Sequence, residues 1–378
     1  MGAASCLMFL LKVYREGGNA VTFFRCATKI CSGTNALEVL RTYTAQRILV
    51  VTDPYFAESG KAREIGDLVP GAQVTIFDRV VPDPTAALAA EGAALCTTLR
   101  PELLIALGGG SAIDCAKGIL AAYDGRPTFI AIPTTSGSGS ELTSYAVLTK
   151  DAVKHPLVEE SLRPDLAILD DSLLRSLPQS LIADTGMDLM AHCVEALGAT
   201  GRSGFTDALA MYAASTVLRD LRASYGGDGS VRLGLHEAAS MAGAAFDYAG
   251  LGLCHAMAHA LGGVFHVPHG RLCAMLLPHV MTYNATAVLA QYAKLARQCG
   301  IAGVTDRLAL RNLQAELSRL RKELHLPENL AQAGVTDSQW KQHAQDLPRA
   351  ILADPCCKTN PVEVTQEGIE KILKAVAP

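Results

Sequence analysis

Five of the chain's ten histidines fall in two short windows of otherwise apolar sequence. In Gly186-Met187-Asp188-Leu189-Met190-Ala191-His192 an acid and a histidine stand four apart, so a helix would present both on one face. His255-Ala256-Met257-Ala258-His259 repeats that spacing, and His266 and His269 follow in a Val-Pro-His-Gly loop. One histidine in such a setting is usually a satisfied core residue. Two such pairs and a loop of the same chemistry point to a divalent metal. Three imidazoles and one carboxylate suit Fe(II) or Zn(II) and leave a position for substrate. Spacing alone does not say which histidines ligate. His-Ala-Met-Ala-His lacks the glutamate that a zinc peptidase uses as its base, which disfavours peptide hydrolysis.

A second kind of chemistry lies upstream. Leu107-Gly108-Gly109-Gly110-Ser111 follows a buried-strand pattern and opens a helix, so the backbone can approach a pyrophosphate and the helix amides can stabilise its charge. The spacing is neither Gly-x-Gly-x-x-Gly nor a Walker loop, and a plain strand-to-helix turn is the competing reading. A second polar loop, Ile132-Pro133-Thr134-Thr135-Ser136-Gly137-Ser138-Gly139-Ser140-Glu141, follows the next strand. Two such loops at neighbouring strand ends mark the place where a parallel sheet binds a nucleotide. Asp53, at the end of Ile48–Thr52, could accept from an adenosine ribose and repel a 2′-phosphate, favouring NAD over NADP, or could simply cap a helix. A dinucleotide site and an open metal site facing one cleft suggest hydride transfer to a polarised carbonyl.

The elements that must position these groups divide into two textures. Over about 36–170, short apolar runs alternate with helical stretches: strands at 47–52, 73–77, 103–107 and 128–132, with helices at 57–68, 85–99 and 111–123. This predicts a parallel Rossmann-like sheet with helices on both faces. Beyond residue 181 the pattern is helical, at 207–221, 231–249, 288–299, 307–324 and 365–375. The expected organisation is an extension over 1–20, an α/β dinucleotide domain over 21–185 and an all-α metal-binding domain over 186–378. The extension reads as a targeting segment or a start-site artefact.

Composition narrows the partners. The chain has 378 residues, 49% of them hydrophobic and 19% charged, with a net charge of −4. That excludes disorder and argues against nucleic acid, leaving a small-molecule ligand. Runs such as Leu272–Pro278 fall short of the ~20 residues of a membrane span, so no membrane is expected. Eleven scattered cysteines without a Cys-x-x-Cys pair suggest reduced thiols in a cytoplasmic setting. Apolar helical faces suggest a homo-oligomer.

The motifs at 108–117, 132–141, 186–192 and Gly-Leu-Gly-Leu-Cys-His-Ala-Met-Ala-His at 250–259 together resemble the iron-containing (group III) alcohol dehydrogenases, from about Thr22 to the end. The resemblance implies metal ligands at Asp188, His192, His255 and His269, with iron(II) ahead of zinc, and His259 as a non-ligating histidine on the proton path. It places NAD(H) contacts at Asp53, Asp83, Gly109, Gly110, Ser111, Asp114, Thr134, Thr135, Ser138 and Lys154. Asp83 departs from the asparagine common in the family's Pro-x-Pro-Thr motif, and Asp184 adds a charge to the metal helix. Within the family, segments such as Phe205–Ala210, Gly262–Gly270 and Lys358–Pro361 resemble the branch that serves propanediol-utilisation microcompartments. That implies NADH-dependent, reversible reduction of a propanal-like aldehyde to its primary alcohol. It also implies a cytoplasmic location that can be inside a bacterial microcompartment, beside shell or lumen enzymes. The rivals are a glycerol-dehydrogenase-like polyol enzyme, a reductase of a sulfonated or hydroxylated aldehyde, and an inactive structural member.

Overall fold

The computed structural model describes residues 23–150 and 153–378, so the extension expected over 1–20 lies outside the described residues. Six strands, β1 (Lys29–Gly33), β2 (Arg47–Thr52), β3 (Gln73–Phe77), β4 (Leu103–Gly108), β5 (Thr128–Pro133) and β8 (Leu166–Asp170), form one parallel sheet in the order β1-β8-β5-β4-β2-β3. The interior strands read as unbroken apolar runs because both faces are buried. Leu49, Val51, Leu104, Ala106 and Phe129 face a core shared with helices α3 (Ala86–Leu99) and α4 (Gly110–Ala122). Ile48, Val50, Ile105 and Ile130 face the other way, onto Leu40, Ala62 and Ile65. The expected helix at 57–68 is two short ones, α1 (Pro54–Glu58) and α2 (Lys61–Gly66), because Gly60 takes a left-handed conformation with φ +77 between them.

Chain order sets the binding position. From β2 the chain goes to β3 on one side, then crosses back to β4 on the other. The switch point therefore lies between the carboxyl ends of β2 and β4, where Asp53 and the three glycines stand. An antiparallel hairpin, β6 (Tyr145–Lys150) with β7 (Val153–Val158), follows the second polar loop and is absent from the sequence reading. Pro156 interrupts its second strand and hides the alternation.

The second half is helical, as expected: α5 (Gln179–Gly198), α6 (Gly204–Tyr225), α7 (Arg232–Ala249), α8 (Leu253–Phe265), α9 (His269–Gln298), α10 (Asp306–Glu323), α11 (Asp337–His343), α12 (Leu347–Ala353) and α13 (Gln366–Val376). The change to helical texture expected after residue 181 falls within the first turns of α5. Thr185 lies inside α5, which starts after Pro178. The helix expected at 288 begins instead at His269. It leaves helical geometry at Val288 (φ −128, ψ 26) and encloses Pro278. Its first half has no 3.6-residue signal because Leu272, Met275, Leu276 and Leu277 are buried all round against α5, α8 and α10. Although α9 is apolar and long enough to cross a membrane, it is a core helix here, with over half of its most apolar window buried.

The halves are joined closely. A Cβ on Gly243 of α7 would lie 2.2 Å from the Gly139 carbonyl oxygen, so loop and helix touch backbone to backbone. Beside them Arg163 Nη2 donates to Asp247 Oδ2 at 2.6 Å, both side chains buried. The 134–145 loop is held from beneath by the buried ammonium of Lys117, which donates to the carbonyls of Ser140, Thr143 and Tyr145. Burial pushes this amine down to about 8 against the pull of Asp114, Asp247 and Glu141. Lys117→Met keeps the volume but orphans the Thr143 carbonyl and takes a charged donor from those of Ser140 and Tyr145, which keep bonds from Thr143. At about 1–3 kcal/mol for the unsatisfied buried acceptor and about 1 kcal/mol for each of the two other bonds lost, the unfolding free energy should fall by about 3–5 kcal/mol, read from urea melts. An unchanged midpoint would show that the loop does not depend on this amine.

Candidate active site

A cleft of about 310 Å³ runs between the halves. One end is formed by Asp83, Gly110, Ser111, Ser138 and Lys154, the other by Asp188, His192, His255, His259 and His269. The helical end depends on period. Asp184, Asp188, His192 and Glu195 follow at intervals of four, four and three on one face of α5, all buried. Asp188 Oδ1 lies 3.7 Å from His255 Nε2 and 3.4 Å from His269 Nε2. The rings of His192 and His255 stack at 4.5 Å, and those of His255 and His269 stand 5.4 Å apart. His266, also in the loop, is exposed and closes α8 with φ +55, so it takes no part.

Two contacts fix His269 on α5. A Cβ on Gly270 would fall 1.9 Å from the Asp184 carbonyl oxygen, so only glycine lets the first turn of α9 seat there. Arg271 Nε and Nη2 donate to the two Asp184 oxygens at 2.9 and 3.0 Å, which neutralises the extra charge and clamps the two helices together.

The donor set fits a divalent cation. Asp188 Oδ1, His192 Nδ1 and His255 Nε2 are buried without hydrogen-bond partners. The 3.4 Å from Asp188 to His269 matches the about 3.3–3.4 Å between donors of a tetrahedral site with ~2.0–2.1 Å bonds, and the 3.7 Å to His255 is slightly wider. Burial alone would raise Asp188, but the surrounding His192, His269 and His255 hold its carboxyl well below the usual range. Burial pushes His192 down to about 4 and His269 well below its usual value, so both offer neutral imidazole at neutral pH. Cys273, one turn after His269, is a donor the sequence did not flag; its atom lies within 4.8 Å of those of Asp188, His255 and His269. Burial and neighbouring Cys254 push its thiol well above its usual value.

Groups behind the ligands orient them. Glu195 Oε2 accepts from His255 Nδ1 at 2.6 Å, and the same carboxylate accepts the amides of Gly252 and Cys254. Burial opposes protonation of His255, yet Asp188 and Glu195 together raise it to about 10. His259 Nδ1 donates to Asp354 Oδ2 at 2.8 Å, from a loop 95 residues downstream. Both carboxylates escaped the sequence reading. Glu195 had a signal, since it stands seven residues after Asp188 on the same helical face; Asp354 had none.

At the dinucleotide end, Gly109 caps α4 without a side-chain hydrogen bond, which leaves first-turn amides for a ligand. A Cβ on Gly110 would sit 2.9 Å from Ser138 Cβ, so the two polar loops nest together. Asp83 (φ +56) pairs with Lys154 Nζ at 2.8 Å, and β7 brings that lysine into the cleft. Asp114 lines the cleft, but its carboxylate is spent on Ser140 Oγ (2.7 Å) and the Val147 amide (3.0 Å). Thr134 is buried, with its amide on the Gly108 carbonyl. Asp53, Gly109 and Thr135 stand beside the cleft at the strand ends, where Asp53 Oδ1 caps α1 through the Phe56 amide and Oδ2 points toward Gly108. The two readings of Asp53 are thus compatible, one per oxygen.

Residues 27–171 match the iron-containing alcohol dehydrogenases and residues 182–377 match the C-terminal region of the same family. The chain belongs to the iron-containing alcohol dehydrogenase family. It is 38% identical to the 1-propanol dehydrogenase PduQ of Citrobacter freundii, covering 93% of this chain and 98% of that protein. Identity is 36% to the NADPH-dependent butanol dehydrogenase of Clostridium saccharobutylicum, over 81% and 84% of the two chains. Among solved structures, the iron-containing alcohol dehydrogenase of Thermococcus thioreducens superposes with a TM-score of 0.87 at 32% identity, covering 94% and 99% of the chains. The sulfoacetaldehyde reductase of Bifidobacterium kashiwanohense, solved with NAD+, gives 0.83 at 26%, covering 95% and 99%. As a family member the chain is an oxidoreductase acting on alcohols and aldehydes, of a kind that uses a divalent metal.

Glu195→Gln should keep the fold while removing the charge that orients His255. Loss of such a partner typically costs about 10–100-fold in metal affinity. Metal titration of the purified variant checks this, and wild-type affinity would remove Glu195 from that role.

Proposed function

We propose that the protein is an NADH-dependent reductase of short, propanal-like aldehydes that also runs in reverse on the primary alcohol. One observation carries this reading. A single cleft has the amides of the glycine loop at one end and the aspartate and histidine cluster at the other. Asp188, His192, His255 and His269 would hold the cation, iron(II) ahead of zinc, and the loops at 108–111 and 134–138 would hold the dinucleotide. Once bound, the cation polarises a carbonyl and NADH supplies the hydride.

The chain's own residues do the rest. Phe246, Leu251 and Pro355 line the cleft near the histidines, excluding water and favouring a small apolar substituent. His259 donates through Nδ1 to Asp354, which leaves Nε2 with the lone pair that exchanges a proton with the product oxygen through water. The free Oδ2 of Asp53 supports NADH over NADPH, since a carboxylate repels a 2′-phosphate. A relative named for NADPH makes that preference worth measuring. A cytoplasmic location and a place in a microcompartment beside shell or lumen enzymes belong to the same proposal through the likeness to PduQ, and homo-oligomeric assembly through the apolar helical faces.

Metal-stripped protein should consume NADH with propanal only after Fe(II) is restored anaerobically, or Zn(II) is added. NADPH should be turned over more slowly. Inactivity with both metals, despite measured metal and NADH binding, would move the search to sulfonated or hydroxylated aldehydes and to polyols. His259→Ala should retain metal at the Asp188, His192, His255 and His269 set and lose turnover by about 10²-fold or more, the usual scale for a general acid–base group. Unchanged turnover and pH profile would remove it from the proton path.

A further inference from the structure

We propose that the cleft contains a second cation site, for Zn²⁺, made by His259, Asp354 and Cys356. These residues share no donor with the Asp188, His192, His255 and His269 set. Their donor atoms lie within 4.8 Å of one another. A tetrahedral zinc site places such donors about 3.3–3.6 Å apart, so closure around an ion needs movements of about 1 Å. The groups come from two rigid supports. His259 stands on α8, while Asp354 caps the turn at Pro355–Thr359 by accepting the Cys356 amide at 2.8 Å through Oδ1. That bond leaves Oδ2 facing His259 Nδ1 at 2.8 Å. All three residues line the cleft, so the fourth coordination position faces open space.

The donor types choose the ion. A thiolate with an imidazole and a carboxylate suits Zn²⁺ and disfavours Mg²⁺ and Ca²⁺, which take oxygen ligands. Binding replaces three waters of the hydrated ion. The Cys356 thiol, held protonated in the empty site by burial and by Asp354, releases its proton to solvent as the ion binds, and the His259 ring moves its one proton from Nδ1 to Nε2 and stays neutral. One thiolate and one carboxylate then neutralise the ion, so the occupied site is neutral, one charge more positive than the empty one. An ion at this position takes His259 Nδ1 away from Asp354 and withdraws the ring from proton transfer. That consequence rests on the functional reading above; the site itself does not.

The test counts bound metal rather than turnover. Full-length metal-stripped protein is dialysed against Zn²⁺ and analysed for metal content, then titrated with Co²⁺ while thiolate-to-cobalt charge transfer is followed in the near ultraviolet. Wild type should bind two equivalents and develop the charge-transfer band. Cys356→Ser, with folding verified by circular dichroism, should bind one equivalent and lose the band. Cys273→Ser should keep both, which assigns the band to Cys356 rather than to the thiol beside His269. Saturation of wild type at one equivalent, or two equivalents retained by Cys356→Ser, overturns the proposal. Cys356→Ala gives the same readout where the serine variant is unstable.

Discussion

Two buried carboxylates on one helix, Asp188 and Glu195, set the terms for the rest of the molecule. Removing a carboxylate from water is expensive unless positive charge or several donors replace the lost solvation. Glu195 receives donors from the His255 ring and from the backbone at the start of α8. Asp188 faces imidazoles whose facing nitrogens are acceptors when neutral, and its Oδ1 is orphaned. Only a cation can satisfy an acid and several neutral rings at one point. The ligand geometry, the clamp from Arg271 to Asp184 and the close seating of Gly270 all keep these unwilling neighbours together.

The sheet half works on a different principle. Among the described residues it gathers no cluster of metal donors, and its contribution is a row of strand ends where backbone amides are left over. Glycines serve because a side chain would fill the space needed by a ligand or by the opposite loop. The loop at 134–145 then turns to meet the helical half, with Lys117 beneath and Gly243 and Asp247 in front. Metal helix and nucleotide loop are thereby kept in fixed register across the cleft.

How far the sequence revealed this depends on whether a feature's cause is local. The interior strands were legible because burial on both faces leaves uninterrupted apolar runs, and the pairs Asp188/His192 and His255/His259 because a helical repeat is written in spacing; the choice of ligands among them came from the family resemblance. The hairpin was not legible, since Pro156 breaks its pattern and its partner is the cleft rather than the sheet. The start of α9 was lost because a helix buried on all sides has no polar face to mark the period. Asp114 is expected to meet the cofactor, and the fold also uses its carboxylate to hold Ser140 Oγ and the Val147 amide. Asp354 depends wholly on tertiary placement, as no motif links it to a histidine 95 residues earlier.

That distance bears on how the protein is made. The wall of the site opposite the sheet is built by Asp354–Asn360, pinned by the paired amides of Asn360 and Asn284 and by Thr359 on the Leu251 carbonyl. These residues leave the ribosome after everything else in the cleft. A nascent chain can therefore complete its sheet and most of its helices, and even gather Asp188, His192, His255 and His269, while the place where His259 is oriented is still missing. Competence arrives late in synthesis, and a partly made chain is an open cup with reactive contents exposed to solvent.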